Sequence, residues 1–398
     1  MNGGFSKQRL QRLHDTLAGH VQSSYLPGAV ALISRKGTTH FEAVGTKAMG
    51  GGEPMRRDTI FRIASMTKPI AAVAAMILVE KCVLRLDESV EKWLPELANR
   101  RVLRSLDGPV DDTVPARRSI TLRDLLTFRL GIGAVMVWPA RYPIQKAIAD
   151  AGLAPGPDVT MAAPDEWMKR LGGLPLLYQP GEQWLYHTGS DVLGVLIARA
   201  SGKSLGDFLR ERIFAPLGMK DTGFVVPSAK LDRLCSAYRP DGQSGELKLF
   251  DDSSDSQWRK PPAFESAGGG LVSTADDYLA FCHMMLAKGR HGSTRILSRP
   301  AVELMTTDQI QPSQKAGQEM FFGADRGWGF GMGVTTRREE LWGSLGRFGW
   351  DGGYGTSAYS DPAEDMVGIL LTQRMMDSPE PPRSYNDFWT AAYQAIDD

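Results

Sequence analysis

The chain has 398 residues, and its 46 Lys plus Arg balance 46 Asp plus Glu, so no net field draws it to nucleic acid or to an anionic lipid surface. A hydrophobic content of 42% is enough for a large buried core, and the length predicts two domains or one large composite domain. Three cysteines, Cys82, Cys235 and Cys282, are few, odd in number and without metal spacing, and the histidines form no HExxH or close pair, so neither a disulfide framework nor a metal is expected.

The first residues, Met1-Asn2-Gly3-Gly4-Phe5-Ser6-Lys7-Gln8, lack the charged-then-apolar plan of a signal peptide. No stretch reaches about 18 uninterrupted apolar residues, so the expectation is a cytoplasmic protein with no membrane partner. Gln8 to Tyr25 reads as a helix. Gly28 to Ser34 and Thr38 to Gly45 read as strands paired around Arg35-Lys36-Gly37.

Thr59-Ile60-Phe61-Arg62-Ile63-Ala64 is an extended run, followed by Ser65-Met66-Thr67-Lys68, then Pro69 and the apolar helical run Ile70 to Val79. Proline is tolerated in a first helical turn, which predicts a helix starting at or near Ser65. A serine three residues before a lysine then puts hydroxyl and amine on one face, within proton-transfer reach. Backbone N–H groups and the positive dipole end converge on the serine, favouring a developing oxyanion; the bland alternative is a helix N-cap. An ordinary lysine, with a pKa of about 10.4, is a poor base at neutral pH, so Lys68 must be buried or placed near another cation. Cys82, at the end of this helix, reads as a packing residue. A second match to the same spacing, Ser89-Val90-Glu91-Lys92, lies in a short amphipathic surface segment.

The polar stretch Arg104 to Ser119 reads as a surface excursion. Ala134 to Trp167, with Trp138, Tyr142 and several prolines, fits a pocket wall and a packed loop equally. Gln179-Pro180-Gly181-Glu182-Gln183-Trp184-Leu185-Tyr186-His187-Thr188 is a turn leading into a helix over Asp191 to Ala200, and it offers Tyr186 as a second proton carrier or as a packing anchor. His187 receives no role. Gly202-Lys203-Ser204-Leu205-Gly206 matches the GxSxG nucleophile elbow, but an elbow needs a strand before its serine. The preceding pattern is helical, so Gly202 reads as a C′ residue and Ser204 as an N-cap; Ile197 stands where a P-loop needs glycine.

Strands return only after Gly268. Gly346 to Tyr359 alternates aromatic and small residues, Asp361-Pro362-Ala363-Glu364 turns, and Met366 to Thr372 returns. Glycines 349, 352, 353 and 355 weaken the first of these strands unless something must approach its backbone, such as a substrate carbonyl; a glycine-rich bulge is the alternative. The expected architecture is an α/β part assembled from both ends, with a helical part inserted and the site in the cleft between them.

Phe61-Arg62-Ile63-Ala64-Ser65-Met66-Thr67-Lys68, Ile120 to Thr127, Ile213 to Thr222 and Gly268 to Thr274, with a mid-chain tyrosine and a late Trp-x-Gly strand, resemble family VIII carboxylesterases, relatives of class C β-lactamases and DD-peptidases. The resemblance implies a β-lactamase/DD-peptidase-like α/β fold: an antiparallel sheet flanked by helices from residues 1–80 and 262–398, plus a mainly helical domain with loops over 81–261. It implies catalysis without a cofactor by Ser65 as nucleophile, with Lys68 and Tyr186 sharing its proton. Backbone N–H groups of Ser65 and Gly353 would form the oxyanion hole, and Trp350, Asp351 and Gly352 would contact substrate.

Two departures refine this. Trp350-Asp351-Gly352 replaces the Lys-Thr-Gly of β-lactamases, removing a cation that pairs with anionic substrates, and Tyr186-His187-Thr188 replaces Tyr-x-Asn. The first favours neutral esters and the second makes lactam hydrolysis less expected, and the expected substrates are small, neutral, short-acyl esters. Phe128-Arg129-Leu130-Gly131, where relatives read His-Thr-Ser-Gly, implies a loop difference. The alternatives are an acyltransferase, amidase or weak β-lactamase using the same site, and a ligand-binding or sensor protein that traps acyl groups without turnover.

Overall fold

Residues 28–45 form the hairpin that their alternation predicts, and its partners lie at the far end of the chain. The computed structural model describes residues 3–158 and 160–398. Strands β1 (Gly28–Arg35) and β2 (Thr38–Gly45) join at Lys36 and Gly37, which both take positive φ, the turn geometry that matches strand twist. Five more strands follow: β3 (Arg326–Trp328), β4 (Gly333–Thr335), β5 (Phe348–Gly352), β6 (Thr356–Asp361) and β7 (Met366–Thr372). All seven make one antiparallel sheet in the order β3-β4-β5-β6-β7-β1-β2. Ala29 faces Thr372 and Arg35 faces Met366 across the β1–β7 ladder, which ties the two ends of the chain together.

Every residue of β1 is buried, so the sheet is covered on both sides. Val30 and Leu32 belong to one core, and Ala29, Ala31 and Ile33 to the other, as strand alternation requires. Five helices position the site: α1 (Lys7–Gln22), α2 (Thr67–Glu80), α3 (Thr188–Ser201), α4 (Ala275–Leu286) and α5 (Arg383–Gln394). The pair α1 and α5 covers the core of Ala29, Ala31 and Ile33 through Leu13, Leu17, Phe388 and Trp389. Helix α4 packs on the opposite face, and α2 lies within that larger core, buried on all sides from Thr67 to Leu78.

Three details differ from the sequence expectation. Helix α1 ends at Gln22, three residues short of Tyr25, because Ser24 takes a left-handed φ of 56° that a helix cannot accommodate. Strands also occur before Gly268, as the ladders Arg101–Leu103 with Thr113–Pro115 and Ala237–Pro240 with Leu247–Asp251, and the short pair Phe61–Arg62 with Val272–Ser273. These are too short and too polar to show a period of two. Cys82 is exposed rather than packed, because its φ of 57° turns the chain away where α2 ends. Among the described residues no helix is long and apolar enough to cross a membrane.

The segment that leads to Ser65 is pinned by Arg62. Its side chain is 1% exposed, pairs with Asp251, and donates to Cys235 O at 2.5 Å and Ser256 Oγ at 3.0 Å. Removing one partner of a buried pair leaves an uncompensated charge. Asp251→Ala is therefore expected to lower stability by about 3–5 kcal/mol in urea unfolding at neutral pH. An unchanged midpoint would mean that solvent serves the guanidinium instead.

Candidate active site

After Phe61–Arg62 the chain tightens into a 3₁₀ turn, Ala64–Met66, before α2 begins. Ala64 has φ 44°, a left-handed conformation that a β-carbon disfavours and that persists only where surroundings enforce it. Those surroundings are visible: Ile63 N donates to Leu271 O at 3.0 Å, Leu271 N donates to Thr67 Oγ1 at 3.3 Å, and Tyr278 OH donates to Met66 O at 2.9 Å. Ser65 is left half-exposed between buried neighbours.

Lys68 lies one helical turn on, with Nζ 2.8 Å from Ser65 Oγ. The side chain is buried, at 1% exposure. Nζ donates to Gly268 O at 2.5 Å, lies 3.4 Å from His187 Nδ1 and sits 4.7 Å from the Tyr186 ring centre. Burial brings the Lys68 pKa down to about 7, against the opposing charge of Asp191.

Tyr186 reaches the same point from the loop before α3. Its hydroxyl accepts from Trp350 Nε1 at 2.6 Å and hydrogen-bonds with Ser65. Burial pushes its pKa up to about 12, against those two hydrogen bonds. The ring is gripped by Trp184, Phe128, Phe321 and Trp350, with centroids 4.9–5.8 Å away, and Trp328 backs this cluster. Phe128, the loop difference expected from sequence, is thus part of the wall behind Tyr186.

His187, given no role by sequence reasoning, is part of the constellation. Its backbone takes φ 76° and ψ −67°, and Nε2 lies 3.1 Å from Asp191 Oδ2. Asp191 also accepts from Ser266 Oγ at 2.7 Å and Gly268 N at 2.9 Å. Burial raises the Asp191 pKa, but the His187, Ser266 and Gly268 hydrogen bonds outweigh it and hold the carboxyl below its ordinary range. Burial, reinforced by the Lys68 charge, lowers that of His187. The available signal was the His187–Asp191 spacing of four at a helix start.

Strand β5 corrects the expected substrate strip. Trp350 is 5% exposed, and its indole serves Tyr186 rather than an open cleft. Asp351 points to the other face of the sheet, where it accepts from Ser357 Oγ at 2.6 Å and Tyr359 OH at 3.0 Å. Gly352 is pressed against Ile63 O, where a Cβ would overlap both that oxygen and Thr356 Oγ1. Gly353 differs: it is exposed, and the space beside its Cα is open.

The remaining candidates separate clearly. Ser89 is exposed, bridges to Thr121 and accepts from Glu91 N at 3.2 Å. Ser204 caps the helix Leu205–Leu209 by accepting from Asp207 N at 3.1 Å, after Gly202 ends α3 with φ 69°. Ala134 N donates to Tyr186 O at 2.9 Å, and Pro157 O accepts from Tyr354 OH at 2.8 Å, so these parts of the 134–167 stretch border the site. Among the described residues no group of His, Cys, Asp and Glu could hold a metal ion.

Sequence comparison matches residues 13–390 to the Beta-lactamase family. The chain belongs to that family. Protein Rv1367c of Mycobacterium tuberculosis is 39% identical over 362 residues, covering 88% of this chain and 87% of its own. Esterase EstB of Burkholderia gladioli is 31% identical over 369 residues, covering 87% and 86%. Among solved structures, EstCE1, described as a hydrolase with promiscuous acyltransferase activity, superposes with a TM-score of 0.82 at 24% identity, over 97% of this chain and 99% of that one. The Beta-lactamase family fold, an antiparallel sheet with flanking helices, is thus shared along nearly the whole chain.

Neighbouring glycines on β5 should therefore respond differently. Gly352→Ala is expected to cost about 1–3 kcal/mol in urea unfolding, because the Ile63 backbone cannot yield without moving the Ser65 turn. Gly353→Ala should stay within about 0.5 kcal/mol of wild type. Equal costs at the two positions would contradict this placement of the strand.

Proposed function

We propose that the protein is a serine hydrolase that cleaves small, neutral, short-acyl carboxylic esters through an acyl-enzyme on Ser65. The observation that carries this reading is the Ser65 hydroxyl 2.8 Å from a buried amine whose pKa falls to about 7. Such an amine is substantially neutral at physiological pH and can accept the serine proton as Oγ attacks the ester carbonyl. Tyr186, with its pKa near 12, stays protonated and is better suited to donate than to begin as base. Lys68 is thus the first base, and the Lys68–Tyr186 pair returns the proton to the departing alcohol.

The carbonyl oxygen gains charge as the tetrahedral intermediate forms, and the N–H groups of Ser65 and Gly353 receive it. Support for Gly353 is its open position beside the Ser65 turn, fixed by the close approach of Gly352 to Ile63. Water then releases the acyl group by the reverse use of Lys68 and Tyr186. The preference for neutral substrates rests on Trp350, an apolar residue where a cation would attract a carboxylate. The short-acyl preference rests on the aromatic cluster beside Tyr186, which is filled by its own rings. The relationship to esterase EstB supports ester cleavage over lactam cleavage.

Turnover of p-nitrophenyl butyrate tests the reading. Ser65→Ala should abolish it and Ser204→Ala should not, while Tyr186→Phe should lower kcat at least about a hundredfold. Loss with Ser204→Ala alone would overturn the site. A stoichiometric burst without turnover would favour an acyl trap, and more product with added alcohol would favour acyl transfer. The pH dependence follows from Lys68: below pH about 7 the amine is protonated and idle, above it the amine is a base. The kcat/KM profile should therefore rise with pH through about 7 and then level, and a profile flat across that range would remove Lys68 as base.

A further inference from the structure

We infer that Asp191 is a positioning residue which, through His187 and Gly268, holds the two acceptors that turn the Lys68 lone pair toward Ser65. The inference rests on the reading of Lys68 as the base. A neutral amine carries two N–H bonds and one lone pair, arranged tetrahedrally. Lys68 Nζ has three polar neighbours: Gly268 O at 2.5 Å, Ser65 Oγ at 2.8 Å and His187 Nδ1 at 3.4 Å. When the two N–H bonds are spent on Gly268 O and His187 Nδ1, the lone pair falls on Ser65 Oγ. When His187 offers no lone pair, the amine is free to turn an N–H toward the serine, which leaves it unable to take the proton.

His187 accepts at Nδ1 only if its proton sits on Nε2. Asp191 enforces this, because a carboxylate accepts hydrogen bonds and cannot donate them, and Oδ2 lies 3.1 Å from Nε2. The second oxygen of the same carboxylate accepts from Gly268 N at 2.9 Å and from Ser266 Oγ at 2.7 Å, which fixes the residue that carries the other acceptor. Both constraints on the amine therefore meet in one side chain that does not itself touch Ser65. Gly268 is suited to the arrangement, since a Cβ there would lie 2.8 Å from His187 Nε2 and 3.0 Å from Asp191 Oδ1. His187 is held in a backbone conformation rare for a side chain of its kind, the sort of strain that persists where geometry matters.

The groups facing Lys68 are few. The loop before α3 contributes Tyr186 and His187, α3 contributes Asp191, and the turn before α2 contributes Ser65. The 266–268 segment contributes a hydroxyl and a carbonyl, and β5 contributes the Trp350 ring, its Asp351 being turned to the other face. Asp191 is the carboxylate whose charge favours the protonated amine. Its neutralisation should therefore shift Lys68 titration to lower pH. That shift follows from charge alone, so the plateau rate, and not the midpoint, separates a positioning role from a carboxylate that merely staples α3 to the 266–268 segment.

The test reads Ser65 directly, with an ethyl alkylfluorophosphonate probe. Labelling forms the Ser65 Oγ–P bond, expels fluoride and passes the serine proton to Lys68. Rates would be followed against pH for wild type, Asp191→Asn, His187→Gln and His187→Leu, each checked for a native circular dichroism spectrum. In Asp191→Asn the amide can donate to Nε2, which moves the His187 proton to Nδ1 and draws the amine lone pair away from serine. Its plateau rate should fall at least about tenfold, and its midpoint should move to lower pH. His187→Leu, lacking an acceptor, should lose as much, whereas His187→Gln keeps one and should stay within about threefold of wild type. An undiminished plateau rate in Asp191→Asn, or equal rates for the Gln and Leu variants, would overturn the inference. Failure of wild type to label at Ser65 at any pH would overturn it together with the proposed function, while labelling without ester turnover would remove only the ester reading.

Discussion

Protonating an amine in the interior of a protein is costly, and the site is organised around where that cost falls. Lys68 is on a helix buried on every side, and its ammonium form would need a partner that the surroundings withhold. Asp191, the carboxylate acting on it, is already committed to His187, Ser266 and Gly268. The balance favours a neutral amine near physiological pH, next to a serine presented by a strained turn. In the proposed reading lysine can stand in for histidine as base because burial supplies the pKa shift that an imidazole does not need.

The sheet contributes by bringing a second backbone to that serine. Strand β5 approaches the Ala64–Met66 turn as closely as glycine allows, and Thr356 Oγ1 on β6 donates to Ile63 O at 3.2 Å. From the other side, Tyr385 on α5 donates to Gly352 O at 3.0 Å and Thr356 O at 2.8 Å. Trp389 donates to Ser357 Oγ at 3.0 Å, which in turn donates to Asp351. The C-terminal helix thus braces the strand that ends at Gly353. Asp351, sought in the cleft, proves to be part of that brace.

What was legible in the sequence was local. The β1–β2 hairpin, the apolar helix after Ser65 and the capping role of Ser204 each follow from residues within one turn or one strand of each other. The Ser65–Lys68 proximity is partly of the same kind, since a three-residue spacing puts both on one helical face, while the turn that presents Ser65 is held by Leu271 and Tyr278. What escaped was set by contacts between distant segments. The direction of Trp350 depends on an aromatic cluster drawn from residues 128, 184, 321 and 328, and the engagement of His187 depends on Gly268 leaving room for it. The short ladders at 101–115 and 237–251 carried no periodic signal because each offers only a few residues to display one.

The exchange of a cation for Trp350 changes more than charge. A lysine at that position would bring a positive charge next to Tyr186 and Lys68, lowering the Lys68 pKa further and, in the proposed reading, drawing an anionic substrate group. Tryptophan instead folds into the wall and donates its single N–H to Tyr186. That donor occupies one lone pair of the phenol and holds its hydroxyl within hydrogen-bonding reach of Ser65. In the proposed reading the lack of a cation at position 350 and the placement of Tyr186 therefore come from one residue: Trp350 offers no charge to a carboxylate and donates to the phenol proposed as proton donor.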